Sequence, residues 1–451
     1  MKKTVLTALS VVCLSLNAWA QWVNQPITFA NRRAVPLLLR VVDNSTVWTV
    51  GEPVEEGYAT PQLARTTDGG QTWTVTTLPV DAANRESVTG LSAISASTAW
   101  VVTSIIDGNG GRILHTTDGG QTWTPQGTGT AFVNSRSFPG FVHFFSATEG
   151  VAGGEQLTAT GSFELYRTTD GGQTWTPVTG TPPSLEDESL SVFKPTVAGN
   201  SIWVLTDEGR VLRSPDRGLT WTITQVPAAG EPTGLAFRDE QNGLLSVLDE
   251  DGTQHGLFST TDGGQTWTQV TYTGPLHGIG LSAVPGTNQY VSTGSDLGND
   301  DQGSSYSRDN GQTWVALENT INHLTVSFIS PTVGWSGSIG FENDDDIVGN
   351  GVNRFTGTVL TTRSGIDAAL QASLQVVPNP ALGGHTTLRA PRPLGGPAQV
   401  RVLDVTGRLV RTNTWTGTAA LDLDLSREKA GVYLLEVTTS AGTARQKLEV
   451  Q

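Results

Sequence analysis

The chain has 451 residues, with 42 Asp and Glu against 27 Lys and Arg, a formal net charge of −15, 53 Gly, 13 Trp and only 15% charged residues. Such an acidic chain repels phosphate backbones, which argues against nucleic acid as a partner. The single cysteine, Cys13, excludes a disulfide framework and Cys-ligated zinc, and the Gly- and Trp-rich composition suits many short strands joined by tight turns.

In chain order, Met1-Lys2-Lys3 is a basic start and Thr4–Leu16 a short apolar stretch, followed by Ala18-Trp19-Ala20, a small-residue cleavage site. Residues 1–20 therefore read as a secretory signal peptide cut after Ala20. The apolar run is too short to span a bilayer, and Val12 is too bulky for a lipoprotein signal before Cys13, so no membrane span is expected in the mature chain. Cleavage removes Lys2, Lys3 and the one thiol, taking the formal charge to −17.

From residue 21 the chain is organised by one phrase, Thr66-Thr67-Asp68-Gly69-Gly70-Gln71-Thr72-Trp73. It returns with Asp118 and Trp123, Asp170 and Trp175, and Asp262 and Trp267, and in looser form with Asp216 and Trp221 and with Asp309 and Trp314. Successive Trp residues are 50, 52, 46, 46 and 47 positions apart, the mark of a repeat architecture. In the second repeat, Val88–Ile94, Ala99–Thr103, Arg112–His115 and Thr122–Thr124 are four short strand candidates separated by turns, which make one antiparallel propeller blade. The second-strand pattern occurs seven times, from Val47–Gly51 to Gly334–Gly337. The expected fold is thus all-β: a seven-bladed β-propeller over residues 21–366, with six blades as the alternative. The seventh third strand is expected at Thr358–Thr362, and the missing outer strand of the last blade at Gln21–Pro26, where the N-terminus would close the ring.

Within the phrase, Asp can accept backbone N–H bonds, Gly supplies positive φ, and Trp fills the gap between sheets, so these residues are expected to be structural. The phrase resembles the Asp-box of sialidases, sortilin-type receptors, xyloglucan hydrolases and photosystem II assembly factors. In those families the hairpin lies away from the ligand face. The repeats over about residues 22–366 look most like the Ycf48-like assembly factors, which implies a binding platform.

A site is therefore expected on the opposite face, formed by the connections between second and third strands and between successive blades. The former are acidic; Phe341–Asp346 is the densest oxygen cluster, and Asp344, Asp345 and Asp346 are candidate Ca²⁺ ligands, with no other cofactor expected. The latter carry Arg32, Arg85 and Arg136 on consecutive connections, with His277 and His323 in comparable places, a set suited to a carboxylate or anionic sugar. A sialidase reading meets obstacles: Arg33-Ala34-Val35-Pro36 has one residue too many for the Arg-x-Pro motif, and Tyr166 and Tyr306 precede Asp phrases, far from the expected pocket. A two-carboxylate glycosidase could draw on the acidic loops. No nucleophile elbow or phosphate loop is present.

After residue 366 the period stops, residues 367–372 read as a linker, and residues 373–451 as a small Ig-like β-sandwich, with strands near Val400–Val410, Leu421–Leu425, Gly431–Val437 and Gln446–Val450. Pro378-Asn379-Pro380, the turn at Asp404–Arg408, Gly431-Val432-Tyr433 and Lys447–Val450 resemble the type A C-terminal sorting domain of the type IX (Por) secretion system. That resemblance implies a Bacteroidetes-type protein handed to the type IX machinery and released outside or held on the outer cell surface. The favoured function is a non-catalytic propeller binding an extracellular protein or glycan; the alternatives are a secreted glycoside hydrolase and a structural surface component.

Overall fold

The computed structural model describes residues 21–451 apart from 54–59, 106–109, 159–160, 187, 191–194, 229, 250–254, 299, 343–345, 362–367, 391–397, 406–407, 417–419 and 440–442. Ala20, Asp344 and Asp345 lie outside the described residues, as does the side chain of Asp346. The described residues are β throughout, apart from the six-residue helix Ala368–Ser373 and three short 3-10 turns.

The described residues of 21–361 form seven four-stranded antiparallel sheets. The second has strands Glu86–Ala93, Ala99–Ile105, Gly111–Thr116 and Thr124–Gln126, in the order anticipated. Among the described residues, apolar clusters fill all seven gaps between neighbouring sheets, the gap between the seventh and first holding two. Leu38 and Trp48 meet Leu91 and Val101 between sheets one and two, and Trp335 and Val352 meet Leu39 and Val47 between seven and one. A closed ring with seven interfaces follows, so the six-blade alternative is discarded.

Sheet seven closes the ring as expected. Its strands are His323–Ser330, Val333–Glu342, Asp346–Phe355 and, outermost, Trp22–Gln25, with Trp22 opposite Phe355. The third strand is not at Thr358–Thr362, however. Val359–Thr361 is a 3-10 turn; Leu360 is buried against blade six, and Val359 O accepts from Arg308. The strand pair before it is long, extending to Phe341 opposite Ile347 and Glu342 opposite Asp346.

Trp22 is the most heavily used residue of the closing strand. It is 2% exposed, Nε1 donates to Ser304 Oγ at 2.9 Å, and its ring lies 4.9, 5.1 and 5.8 Å from those of His323, Phe355 and Phe328.

The C-terminal unit has two sheets, Gln375–Val377 with His385–Arg389 and Leu421–Asp424, and Ala398–Asp404 with Leu409–Trp415, Gly431–Thr438 and Thr443–Val450. Leu388, Leu423, Val400, Leu435 and Leu448 share one core between them. The segment read as a linker is, from Ala368, a helix whose Leu370 joins that core, while Gln371 O accepts from Gln446 Nε2 at 2.9 Å. An apolar Ala-Ala-Leu run of good helix formers gained a sheet to bury against, and the spacer shrank accordingly.

Candidate functional site

The six Asp phrases are self-contained turns. Thr66 Oγ1 donates to Asp68 Oδ1 (2.8 Å) and accepts from Gly70 N (2.9 Å), while Thr72 donates through N to Oδ1 (2.9 Å) and through Oγ1 to Oδ2 (2.6 Å). The same set recurs around Asp118, Asp170, Asp216, Asp262 and Asp309, including the looser copies. In those copies Arg217 and Asn310 hold the positive φ that Gly69 holds in the full phrase. Trp175, Trp221, Trp267 and Trp314 are buried, and Trp73 and Trp123 are half-buried against inter-blade clusters. Each strict turn is also tied to the turn between the first two strands of its own blade, as in Gly69 N to Ser45 O (2.9 Å) and Gly119 N to Ser97 O (3.0 Å). Both kinds of turn therefore share one face.

Hydroxyl and backbone donors hold Asp68, Asp118 and Asp170 at about 2, well below their ordinary 3.8. The turn binds the ionised form. Its contribution is therefore complete above the unfolded pKa and is lost as pH falls through the folded one. The melting temperature is expected to fall between about pH 4 and pH 2. Asp118→Asn should lower stability at pH 7 and flatten that fall; a scan with an unchanged slope would remove the carboxylate from the account.

On the opposite face the candidate arginines sit just before the inner strands of blades one to three. Arg32 is exposed and pairs with Glu342 of blade seven, so a loop carboxylate meets a connection guanidinium there. Arg85 is half-buried with φ 55° in the turn begun by Asp81, and Arg136 is exposed. Asn31 and Asn134 build matching turns, each Oδ1 accepting the backbone N–H two residues on, from Arg33 and Arg136 (both 2.9 Å).

The two candidate histidines are interior residues, which corrects their assignment to a ligand surface. His323 is 0% exposed; Nδ1 lies 2.6 Å from Ser336 Oγ and Nε2 3.0 Å from Glu318 Oε1. Burial presses the imidazole pKa down against the opposing pull of Glu318. Burial would raise Glu318, but its bonds from His323, Thr320 N and Ser304 hold it at about 2. His277 is 8% exposed, with Nδ1 2.9 Å from Asp301 Oδ1, and His255 Nε2 is 3.4 Å from the other oxygen of the same carboxylate.

His277, held by Asp301 just ahead of the third strand of its own blade, belongs to a recurring device that sequence reasoning missed, whereas His323 is held by Glu318 from the outer strand of blade six. At the start of an inner strand, a polar residue reaches across the second strand to the start of the third. Glu86 is bidentate with Arg112 (2.7 Å to each oxygen), and Glu188 takes both Nε (2.8 Å) and Nη2 of Arg210. In blade three, Ser137 donates to Glu164 (3.1 Å). The bidentate partner of Glu86 is thus not the adjacent Arg85 but a residue 26 positions further on. Aligning the repeats on their third strands would have exposed the device.

Among the described residues no group of three or more His, Cys, Asp or Glu is placed to hold a metal ion. One carboxyl on this side is unusual: burial pushes Glu52 from 4.5 up to about 8, against the opposing bonds from Ser87 Oγ (3.3 Å) and the Val88 N–H.

On the Asp-turn side, a cavity of about 590 Å³ opens between the ends of the inner strands. Its walls include Arg40, His143, Thr196, Leu235 and Ser327, and none of the candidate site residues lines it.

Residues 42–191 match the model of the photosynthesis system II assembly factor YCF48, residues 163–274 that of sortilin, neurotensin receptor 3, and residues 375–451 that of a secretion system C-terminal sorting domain. No curated protein matches. Among solved structures, YCF48 bound to D1 peptide is 20% identical with a TM-score of 0.51, over 75% of this chain and 98% of that one. YCF48 from Cyanidioschyzon merolae is 16% identical, also with a TM-score of 0.51, over 75% and 99%. At these identities the two structures speak for the fold. Among the described residues no helix is long and apolar enough to cross a membrane.

Proposed function

From a chain that joins a Ycf48-like Asp-box propeller to a Por-type secretion sorting domain, we propose an exported, non-catalytic binding module for an extracellular protein or glycan. Residues 375–451 would deliver the propeller through the type IX machinery to the cell surface or the medium, after a signal peptide ending at Ala20 has taken it to the periplasm. The observation that carries the binding reading is the placement of Arg32, Arg85 and Arg136 just ahead of the inner strands of three consecutive blades, on the face that the Asp turns leave free. Guanidinium groups on a rigid rim suit carboxylate-bearing protein segments or acidic sugars, because their fork geometry matches a carboxylate and their charge is permanent. The peptide in the YCF48 complex is a precedent for a propeller of this fold engaging a polypeptide.

The full chain, immobilised and exposed to envelope extract and to an array of acidic glycans, is expected to retain a partner without releasing reducing sugar. Changing Arg32, Arg85 and Arg136 together to Glu should weaken retention at least tenfold while leaving the fold intact, since Arg32 and Arg136 are exposed. Retention unaffected by the triple change would remove the arginines from the interface.

One observation favours a glycoside hydrolase as the second reading: Glu52 stays protonated at neutral pH, as a general acid must. Release of reducing sugar, abolished in Glu52→Gln, would install that reading in place of the first.

A further inference from the structure

The seven inner strands present one equivalent position to the second-strand Trp site: Arg40 opposite Trp48, Ser92 opposite Trp100, His143 opposite Val151, Thr196 opposite Trp203, Ala236 opposite Leu244, Ser282 opposite Val291 and Ser327 opposite Trp335. Five of the seven are small. Three spend their hydroxyls on the next blade: Ser92 accepts Phe144 N (2.9 Å), Ser282 accepts Phe328 N (3.1 Å), and Thr196 donates to Leu235 O (2.7 Å).

Arg40 and His143 break this pattern. Both line the 590 Å³ cavity, and among the described residues neither side chain is hydrogen-bonded to the neighbouring blade. Among the described residues, the Arg40 guanidinium makes one hydrogen bond, from Nη1 to the carbonyl of Leu39 (3.0 Å). The His143 ring makes an edge contact with Phe145 at 4.7 Å and no hydrogen bond. Burial brings Arg40 down to about 10, and burial together with the nearby Arg40 charge brings His143 down to about 3, so the pair carries one positive charge at neutral pH.

The acidic residues at the rim are already engaged. Asp239 accepts from Gln241 N, Asn242 N and the Asn242 side chain, and Glu240 accepts from Asn200 N. A guanidinium with spare donors, beside a neutral imidazole in a confined space, is half of a hydrogen-bonded pair that wants an anion. The other guanidinium of the wall, Arg238, is already engaged by Asp239 (3.4 Å) and by Asn310 Oδ1, so the charge left to a ligand is that of Arg40 and suits a monoanion better than a phosphate dianion. Between the polar groups the wall is apolar, including Val41, Val197, Leu235 and Pro285, and the volume lies in the range that takes small molecules, about 300–1,000 Å³.

We propose that this central cavity binds a small organic carboxylate with an apolar body, Arg40 anchoring the carboxylate and His143 donating a second hydrogen bond to it. The site lies on the face opposite the candidate arginines and stands independently of the binding reading given above.

The test uses the full chain with its histidines isotopically labelled, so that the six imidazoles are resolved by NMR and His143 is assigned through His143→Gln. Phenylacetate is expected to shift the His143 resonance saturably and to leave His277 and His323 in place. Phenylacetamide, the same shape without the charge, should bind at least tenfold more weakly, as should inorganic phosphate. Arg40→Gln should weaken phenylacetate at least tenfold while the resonances of His277 and His323 keep their positions, which certifies the fold. Acetyl-Gly-Gly-Phe binding more tightly than phenylacetate would support the same site with a chain terminus as the source of the acid. Equal affinity for acid and amide, an undisturbed His143 signal, or full affinity in Arg40→Gln would overturn the proposal.

Discussion

Trp22→Ala is expected to destabilise the propeller by about 3–5 kcal/mol, the range for truncating a buried Trp. The substitution removes a ring that touches three aromatic neighbours, and it strips the indole N–H from Ser304. It also acts at the seam where the two ends of the propeller sequence meet, because Trp22 stands opposite Phe355 across the ring closure. Beyond the strand pairing and the Asn24 side-chain bonds to Asn350 O and Asn353 Oδ1, the rest of Trp22–Gln25 is weakly buried: Val23 and Asn24 are exposed and Gln25 is half-buried. Guanidinium-induced unfolding of the variant should show a lower midpoint, with new protease cleavage near residue 25. Trp22→Phe, which keeps the apolar contacts and loses the bond to Ser304, should recover most of the loss. If Trp22→Ala costs under about 1 kcal/mol, the closing strand is not what holds the ring.

Glu188→Leu is the second large effect, at about 3–5 kcal/mol. Glu188 is 0% and Arg210 11% exposed in the side chain, so removing the carboxylate strands a guanidinium away from water with, among the described residues, only Pro183 O left as a partner (3.1 Å). The burden is the uncompensated charge rather than the lost attraction. The double change Glu188→Leu with Arg210→Met is therefore expected to be less destabilised than Glu188→Leu alone, and denaturant midpoints of the three variants decide the matter. The contrast within the same molecule is Arg32 and Glu342, where side chains 65% and 47% exposed form a pair that water and salt screen, so breaking it should cost no more than about 1 kcal/mol.

The features that sequence reading reached are those whose causes are local. An Asp turn is built from bonds spanning two to four residues, so Thr66, Asp68, Gly70 and Thr72 declare it wherever they fall in register. The N-terminal closing strand was legible because Gln21-Trp22 repeats the sound of a fourth strand in a blade that lacked one. The third strand of the same blade was misplaced because, without Asp and Trp to mark its end, nothing near residue 355 distinguishes it from the apolar run at Thr358–Thr362. The histidines failed for a different reason: a residue at a blade entrance faces outward or inward according to what stands at the start of the third strand. For His277 that residue is Asp301, while His323 is drawn inward by Glu318 at the end of blade six's outer strand. Arg40 escaped notice because Pro36-Leu37-Leu38-Leu39-Arg40-Val41 reads as an ordinary inner strand whose last polar residue belongs to the surface; only the ring of seven brings it to the axis.

The pairing of Trp22 with Phe355 also sets an order of events. A blade assembled from neighbouring strands closes short loops, but the seventh cannot be completed until nearly the whole propeller sequence is available to fold. Contacts of such long sequence separation are entropically costly and form late. Six blades can therefore collapse while the ring stays open, and the partly assembled arc exposes two unpartnered sheet faces until the amino-terminal strand docks. Ring completion is the step that converts a progressive, blade-by-blade collapse into one cooperative unit, and a chain delayed before it is the form most exposed to proteases and to pairing with a second copy.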